Sequence, residues 1–282
     1  MAISDSLGEV HEVQLEQGTI RYRESGRGRP IVFVHGYLVN GDLWRKVVPK
    51  LSGEYRCITA DWPMGSHELA MDEDTDLSPP AMADLIADFI DKLGLDDVVL
   101  VANDSGGAIS QLVVTRRPER IGGLVLTPCD AFDKFPPAPF NLLGVIGRIP
   151  VVRDAVYQSM RLPLARMAGF RPLMKHGYDA AIVKSWITPG LKDAGVRRDG
   201  MKFAVGMDNK YTLAAAERLP AFDKPVLLAW PPKNTFFKWE LAQKLEAALP
   251  QARLEPVPDA LTFVSEDQPE RLAELVAEFA AA

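Results

Sequence analysis

Short apolar runs alternate along the chain with longer segments whose apolar residues recur at helical spacing. The apolar runs have the length and composition of strands that are buried on both faces of a sheet. They occupy residues 31–34, 98–101, 121–126 and 226–230. Because amphipathic segments separate these runs, the pattern predicts an α/β fold with a mostly parallel sheet covered by helices on both faces.

Weaker signals complete the pattern. Runs of β-type composition occupy residues 11–15, 19–24, 56–60 and 253–257, and helical spacing occupies residues 43–51, 79–93, 105–117 and 266–282. The helix over residues 79–93 carries the clearest signal. Ser78 is a candidate N-cap, Pro79 suits the first turn, and Leu85, Ile86 and Phe89 share one face.

The alternation stops after Pro128 and resumes with the apolar run at residues 226–230. Residues 131–219 contain several prolines and short amphipathic helical runs, but no apolar strand followed by a helix. We interpret residues 131–219 as a helical cap inserted after the sixth strand, and residues 1–130 and 220–282 as the core. The apolar segment 140–149 is interpreted as cap core or as the lining of a substrate tunnel, rather than as a membrane contact.

Composition narrows the class of protein. The 282 residues are 47% hydrophobic and 25% charged, as in an ordinary globular domain, and the net charge of −6 argues against nucleic acid as a partner. No run approaches the roughly 20 apolar residues of a membrane span, so we expect no membrane partner, and residues 1–10 lack the apolar core of a secretory signal. Cys57 and Cys129 are expected to be buried free thiols in a cytoplasmic protein, and no metal or cofactor motif is present.

Residues 101–107 offer a sharp turn between a strand and a helix. In a nucleophile elbow the apex side chain projects outward, and the residues two before and two after it must be small because the backbone is crowded. With Asp104 at the apex these residues are Ala102 and Gly106, whereas Ser105 at the apex would place Asn103 at a crowded position. The pattern therefore favours Asp104 at the apex.

Here the chain resembles the α/β-hydrolase superfamily over nearly its whole length. The matching features are His35-Gly36 after the third strand, residues 61–66 after the fourth, the Asp104 elbow, the strand at residues 225–230, and residues 263–269. The chain is similar to the branch with an aspartate nucleophile, which holds haloalkane dehalogenases, fluoroacetate dehalogenases and epoxide hydrolases. The resemblance implies an α/β-hydrolase fold with a mostly parallel eight-stranded sheet and an inserted helical cap.

The resemblance also implies roles for individual residues. Asp104 would attack a carbon of a small-molecule substrate and form an ester, and the backbone N–H groups of Tyr37 and Ser105 would form the oxyanion hole. Tyr37 and Ser105 stand where several dehalogenases have the asparagine and tryptophan that bind halide. The family uses no cofactor, and the resemblance says nothing of the oligomeric state.

Two positions of the family pattern are substituted. Thr262 occupies the place of the histidine that activates water, and Asn234 occupies the place of the acid that orients that histidine. No histidine follows residue 176. Because threonine cannot take a proton from water near neutral pH, an ester formed on Asp104 is expected to persist.

Other residues are candidates for the missing functions. Asp130 lies near an alternative position for the acid after the sixth strand, and His67 is a spare histidine in a loop that borders the site in relatives. A surface position is the simpler interpretation of His67. Trp186 in the cap would either contact a ligand or pack in the cap.

His35 is expected to support the turn before Tyr37, and Trp62 belongs to the matched loop after the fourth strand.

These features support several hypotheses. The first is an enzyme that abstracts a proton, eliminates, isomerises or cyclises a small apolar molecule, with Asp104 as base and His67 or Tyr37 as acid. The second is a dehalogenase or epoxide hydrolase that uses His67 or Asp130 in place of the usual residues. The third is a ligand-binding protein without activity, and the fourth is an esterase with Ser105 as its nucleophile.

Overall fold

A computed structural model describes residues 4–142 and 149–282. In these ranges eight strands form a single sheet in the order β1-β2-β4-β3-β5-β6-β7-β8. The strands are β1 (Glu9–Leu15), β2 (Gly18–Ser25), β3 (Pro30–Val34), β4 (Arg56–Ala60), β5 (Val98–Asp104), β6 (Ile121–Cys129), β7 (Val226–Trp230) and β8 (Ala252–Pro256). Strands β1 and β2 pair antiparallel, β2 pairs antiparallel with β4, and the remaining pairs are parallel. The predicted α/β class and mostly parallel sheet are therefore confirmed.

The helices of the described ranges are α1 (Val48–Leu51), α2 (Pro79–Lys92), α3 (Ser105–Arg116), α4 (Pro150–Ser159), α5 (Pro163–Phe170), α6 (Ala180–Lys192), α7 (Ala194–Gly206), α8 (Asn209–Ala216), α9 (Trp239–Ala248), α10 (Val264–Asp267) and α11 (Pro269–Ala280). Five of them, α4 to α8, lie between β6 and β7. This is the segment predicted to form a cap, and that division of the chain stays a prediction.

The central strands are apolar throughout because both of their faces are covered. In β3, Val32 and Val34 belong to one buried apolar cluster, whereas Ile31 and Phe33 belong to another. Successive side chains of a strand point to opposite faces, so the two clusters are the two layers between sheet and helices. Burial on both sides leaves no polar positions in such a strand, which is why the sequence signal was a continuous apolar run.

Two predicted helices are interrupted in the structure. In place of the helix predicted over residues 43–51, the chain forms a 3₁₀ turn, Gly41–Trp44, followed by the short α1. In place of one helix beginning at residue 266, residues 264–280 form α10 and α11. Pro269 lacks a backbone N–H and starts the second of these helices, so the chain breaks at Gln268. Ser78 precedes α2 as predicted, but its hydroxyl bonds Asp76 rather than capping the helix.

Several smaller expectations can also be compared with the structure. Cys57 and Cys129 are both buried free thiols, as predicted. Of the apolar segment 140–149, Phe140–Leu142 is a 3₁₀ turn, and residues 143–148 lie outside the described ranges. Within those ranges, no helix has the length and apolar character needed to cross a membrane.

Candidate active site

Asp104 lies at the turn between β5 and α3, with a backbone φ of 56°. This left-handed conformation is uncommon for a residue with a side chain, and it is maintained here by close packing. A Cβ atom on Gly106 would lie 2.3 Å from the carbonyl oxygen of His35, and one on Gly36 would lie 2.4 Å from Oδ2 of Asp104. The glycines therefore allow the tight turn and the approach of the neighbouring loop to the carboxyl group.

The Asp104 carboxyl group faces a cavity of about 150 Å³ between the sheet and the helices that follow β6. Its walls are mainly apolar, and the polar side chains among its described lining residues are Tyr37, Asp104, Ser105, Asp130 and Tyr157. The apolar lining includes Leu38, Phe140, Met160, Phe170, Leu173, Ile187, Met201, Met207 and Phe236. No lysine, arginine or histidine is among these described lining residues, so no basic side chain on the wall neutralises the two carboxyl groups.

The two carboxyl groups are strongly perturbed by their surroundings. Burial raises the pKa of Asp104 to about 7, against a smaller opposing effect of the Ser105 backbone N–H. Burial and the nearby charge of Asp104 hold the pKa of Asp130 well above its usual range. Atom Oδ1 of Asp130 has no hydrogen-bond partner among the described residues. Near neutral pH the two carboxyl groups are therefore not both ionised, and Asp130 retains its proton more firmly than Asp104.

The two backbone groups expected to form the oxyanion hole both lie beside Asp104. The Tyr37 backbone N–H donates a hydrogen bond to the Ser105 hydroxyl oxygen at 2.8 Å. The Ser105 backbone N–H donates to the Asp104 carboxylate, which opposes the rise in its pKa. Both donors thus have an acceptor within the protein. A ligand oxygen that binds at the Tyr37 N–H must displace the Ser105 hydroxyl.

Two tyrosine hydroxyls form the polar part of the cavity on the helical side. Burial raises the pKa of Tyr37 to about 12, and burial followed by the effect of Tyr37 raises the pKa of Tyr157 well above its usual range. The Tyr37 hydroxyl makes a weak contact with the sulfur of Met201 at 3.5 Å and interacts with the Tyr157 hydroxyl, which has no other partner in the described ranges. Both phenols are therefore neutral at ordinary pH.

Sequence reasoning did not identify Tyr157. This residue lies on α4 and packs among three glycines from separate segments, Gly65, Gly190 and Gly200. A Cβ atom on any of them would approach the tyrosine ring or hydroxyl to 2.6 Å. Those contacts join residues far apart in the chain, so no local pattern could have indicated them.

The two residues predicted to replace the family's histidine and acid, Thr262 and Asn234, lie together in space. The Thr262 hydroxyl donates to Oδ1 of Asn234 at 3.4 Å, and the same oxygen accepts the backbone N–H groups of Phe236 and Phe237. The Thr262 carbonyl accepts a hydrogen bond from the Asn103 side chain at 2.8 Å. Thr262 is fully buried, and neither it nor Asn234 is among the lining residues of the cavity.

His67 lies elsewhere. Its Nε2 is 3.2 Å from Oδ2 of Asp199 on α7, and Asp199 also accepts the Met71 backbone N–H. Burial acts to raise the pKa of Asp199, but these hydrogen bonds outweigh it and lower the pKa overall. His67 is buried, so the surface position favoured from the sequence is wrong, and it is not among the described cavity-lining residues. The structure therefore does not bring His67 together with Asp104, because the loop after Ser66 folds against α7.

Three further candidates from the sequence pack beneath or beside the cavity without lining it. Nε2 of His35 accepts a hydrogen bond from the backbone N–H of Trp62 at 2.9 Å, and Nδ1 of His35 bonds the Gly36 carbonyl. Burial lowers the pKa of His35 to about 4, so its ring is neutral. The Trp62 indole donates to the Phe33 carbonyl. Trp186 is fully buried and packs against Phe170. His35 thus bonds the loops on both sides of it and Trp186 packs in the interior, while the roles of both residues stay predictions.

The described residues contain no cluster of three or more histidine, cysteine or acidic side chains that could hold a metal ion.

The chain is similar to proteins of known family and structure. Residues 31–275 match the model of the alpha/beta hydrolase family. The chain is 27% identical to haloalkane dehalogenase 2 of Mycobacterium bovis over 93% of its length and 91% of the relative. It is 24% identical to a cis-3-alkyl-4-alkyloxetan-2-one decarboxylase of Shewanella oneidensis, over 91% of this chain and 83% of that protein.

Among solved structures, the epoxide hydrolase CorEH superposes with a TM-score of 0.82 at 17% identity, covering 97% of this chain and 98% of that one. These similarities support the resemblance to the branch that holds dehalogenases and epoxide hydrolases. The extent of the family match shows that the chain belongs to the alpha/beta hydrolase family.

Proposed function

We propose that this chain is an enzyme that moves protons on a small, mostly apolar molecule, with Asp104 as the general base. The observation that carries the proposal is that Asp104 and Asp130 line the same apolar cavity without a basic residue among the described lining. In this proposal residues 131–219 act as the cap that closes the cavity. The reaction class is an isomerisation, elimination or cyclisation, in which no water molecule needs to be activated.

The pKa of Asp104 supports the role of a base. A general base works best when its pKa lies near the working pH, and burial raises the pKa of Asp104 to about 7. A nucleophilic carboxylate, by contrast, needs a later step in which water removes the ester. General-base help is worth about 10²–10⁴ in rate, and Thr262 offers none at the position of the family histidine.

Asp130 is the proton donor in this proposal. Two carboxyl groups whose surroundings separate their pKa values can act as a base and an acid at one pH. Burial and the charge of Asp104 keep Asp130 protonated where Asp104 is partly ionised. The hydroxyls of Tyr37 and Tyr157 would stabilise negative charge that develops on a substrate oxygen.

The decarboxylase of Shewanella oneidensis supports this interpretation indirectly. Its name describes a reaction other than hydrolysis, and it aligns with this chain over most of both lengths. A fold of this type accommodates many chemistries, so the site rather than the fold decides between them.

A carbon-acid probe tests the proposal without knowledge of the natural substrate. 5-Nitrobenzisoxazole opens to a coloured phenolate when a base removes its ring proton, and a carboxylate in an apolar cavity is a suitable base. We expect turnover that rises with pH through about 7 in the native protein and is lost in Asp104→Asn. Asp61→Asn is the matched control, because Asp61 is also a buried carboxyl group but lies outside the cavity lining. Equal turnover by native protein and Asp104→Asn would refute the proposal.

A second candidate is the formation of an Asp104 ester, as in haloalkane dehalogenases or epoxide hydrolases. It is favoured by the outward turn of Asp104 into the cavity and by the 27% identity to a haloalkane dehalogenase. Exposure to 1-bromohexane or styrene oxide followed by peptide mass spectrometry would reveal an added alkyl group on Asp104. Release of bromide or diol over many turnovers would favour this candidate over the first. A protein that neither reacts nor turns over any probe would instead match the ligand-binding hypothesis.

A further inference from the structure

The outer face of α5 is apolar and exposed. Leu164 is 74% exposed and Met167 is 45% exposed, and residues three apart on a helix lie on the same face. Ala168 continues this face, and Leu162, just before the helix, is 62% exposed. We refer to Leu162, Leu164, Met167 and Ala168 as the α5 patch. Large apolar side chains grouped in this way mark a surface that contacts something other than water.

The opposite side of the same helix lines the cavity. Gly169 and Phe170 line it, as do Val156 and Met160 from the preceding segment. A helix at the surface of a globular protein normally has one apolar and one polar face. Helix α5 is apolar on both sides, and only the inner side has a partner among the described residues.

The segment around the patch is basic, although the chain as a whole is acidic. Residues 149–175 contain five basic residues and one acidic residue, whereas the net charge of the chain is −6. Arg161 and Arg171 are exposed at the two ends of α5, and they donate hydrogen bonds to Gln158 and to the Met174 carbonyl. Within the described ranges, neither forms an ion pair with a carboxylate. Their positive charge is therefore available to an external anion.

We propose that the α5 patch docks on the surface of an anionic lipid bilayer. Apolar side chains flanked by arginines suit the boundary between lipid headgroups and acyl chains, where the apolar groups insert and the guanidinium groups meet phosphates. A second copy of this chain at a two-fold axis would bring the same arginines close together, which opposes pairing. Nucleic acid would use the arginines but would leave Leu162 and Leu164 without a partner.

This contact needs no membrane-spanning helix, so it is compatible with the finding that the described residues contain none. The sequence expectation of no membrane partner rested on the lack of a spanning segment. A peripheral contact through α5 would revise that expectation. It would also place the helix that walls the cavity against the bilayer.

Co-flotation of the full chain with vesicles tests the proposal. We expect binding to vesicles of phosphatidylcholine and phosphatidylglycerol in equal parts, little binding to phosphatidylcholine alone, and release by 0.5 M salt, at which charges are screened within about 4 Å. Leu164→Ser combined with Met167→Ser should lower the bound fraction by about tenfold or more, because two inserted side chains are lost. Leu213→Ser is the matched control, since Leu213 is an exposed leucine on α8 outside the patch. Arg161→Gln combined with Arg171→Gln should weaken binding to the anionic vesicles, and the remaining binding should depend less on salt.

Several results would overturn the proposal. These are no binding to the anionic vesicles, binding that Leu164→Ser with Met167→Ser leaves unchanged, or a dimer in sedimentation that the same variant dissociates. Binding to a DNA duplex that the arginine variant abolishes and the leucine variant spares would assign the surface to nucleic acid. Circular dichroism of each variant verifies that loss of binding does not reflect unfolding.

Discussion

Replacing Asp104 by asparagine should stabilise the protein, and more so as the pH rises. Burial raises the pKa of Asp104 from 3.8 to about 7. Below about pH 4 the carboxyl group is protonated in both the folded and the unfolded chain, so the substitution has little effect there. Between about pH 4 and 7 the unfolded chain releases the proton and the folded chain retains it, so folding becomes less favourable with rising pH. Above about pH 7 the cost is complete.

The magnitude follows from the size of the pKa change. A rise from 3.8 to about 7 corresponds to roughly 4 kcal/mol in the free energy of unfolding. Asp104 keeps some exposure through the cavity, so we take about half of this value, roughly 2 kcal/mol, at pH 8. For a domain of this size that corresponds to an increase of roughly 4–8 °C in melting temperature.

The assay is thermal unfolding of the native protein and Asp104→Asn, followed by circular dichroism from pH 5 to pH 8.5. Asp199→Asn provides a control of opposite sign. Burial acts to raise the pKa of Asp199, but hydrogen bonds from His67 and Met71 outweigh it and lower the pKa overall. Its carboxylate therefore stabilises the fold at neutral pH and stops doing so only as the pH falls through that lowered pKa. An Asp104→Asn variant no more stable than the native protein at pH 8, or a gain that does not change with pH, would refute the assigned electrostatics.

Other expected outcomes test neighbouring parts of the structure. Gly36→Ala should lower turnover of 5-nitrobenzisoxazole by at least about tenfold, because the new Cβ would lie 2.4 Å from Oδ2 of Asp104 and displace the carboxyl group; unchanged kinetics would contradict this geometry. Burial lowers the pKa of His35 to about 4, so the contribution of this one residue to stability should fall by about 3 kcal/mol as the pH drops from 6.5 to 4, and in denaturant titrations His35→Gln should gain that amount relative to the native protein over the same range. Cys57 and Cys129 are buried with raised pKa values, so a thiol reagent such as dithionitrobenzoate should label them only in denaturant, and rapid labelling of the folded protein would contradict their burial.

Much of the fold was predictable because it depends on local patterns. A strand buried on both faces must be apolar throughout, and the predicted runs at residues 31–34 and 226–230 correspond to β3 and β7. The Asp104 turn was predictable for a similar reason, since crowding at an elbow requires small residues at fixed offsets, here Ala102 and Gly106. Element ends were predicted less well. The breaks before α1 and at Gln268 depend on how short helices pack, and helical spacing alone does not show them.

The candidate site was also predictable only in part. The sequence by itself determined that Asp104 stands on a strand-to-helix turn, and it predicts that Thr262 and Asn234 occupy the positions of the family's histidine and acid. Only the tertiary structure decided that Asp130 shares the cavity with Asp104, that Tyr157 faces it from α4, and that His67 pairs with Asp199 instead. Turn geometry depends on neighbours along the chain, whereas burial and pKa depend on segments that meet only after folding. An aspartate's position can therefore be read from sequence, but its proton affinity cannot.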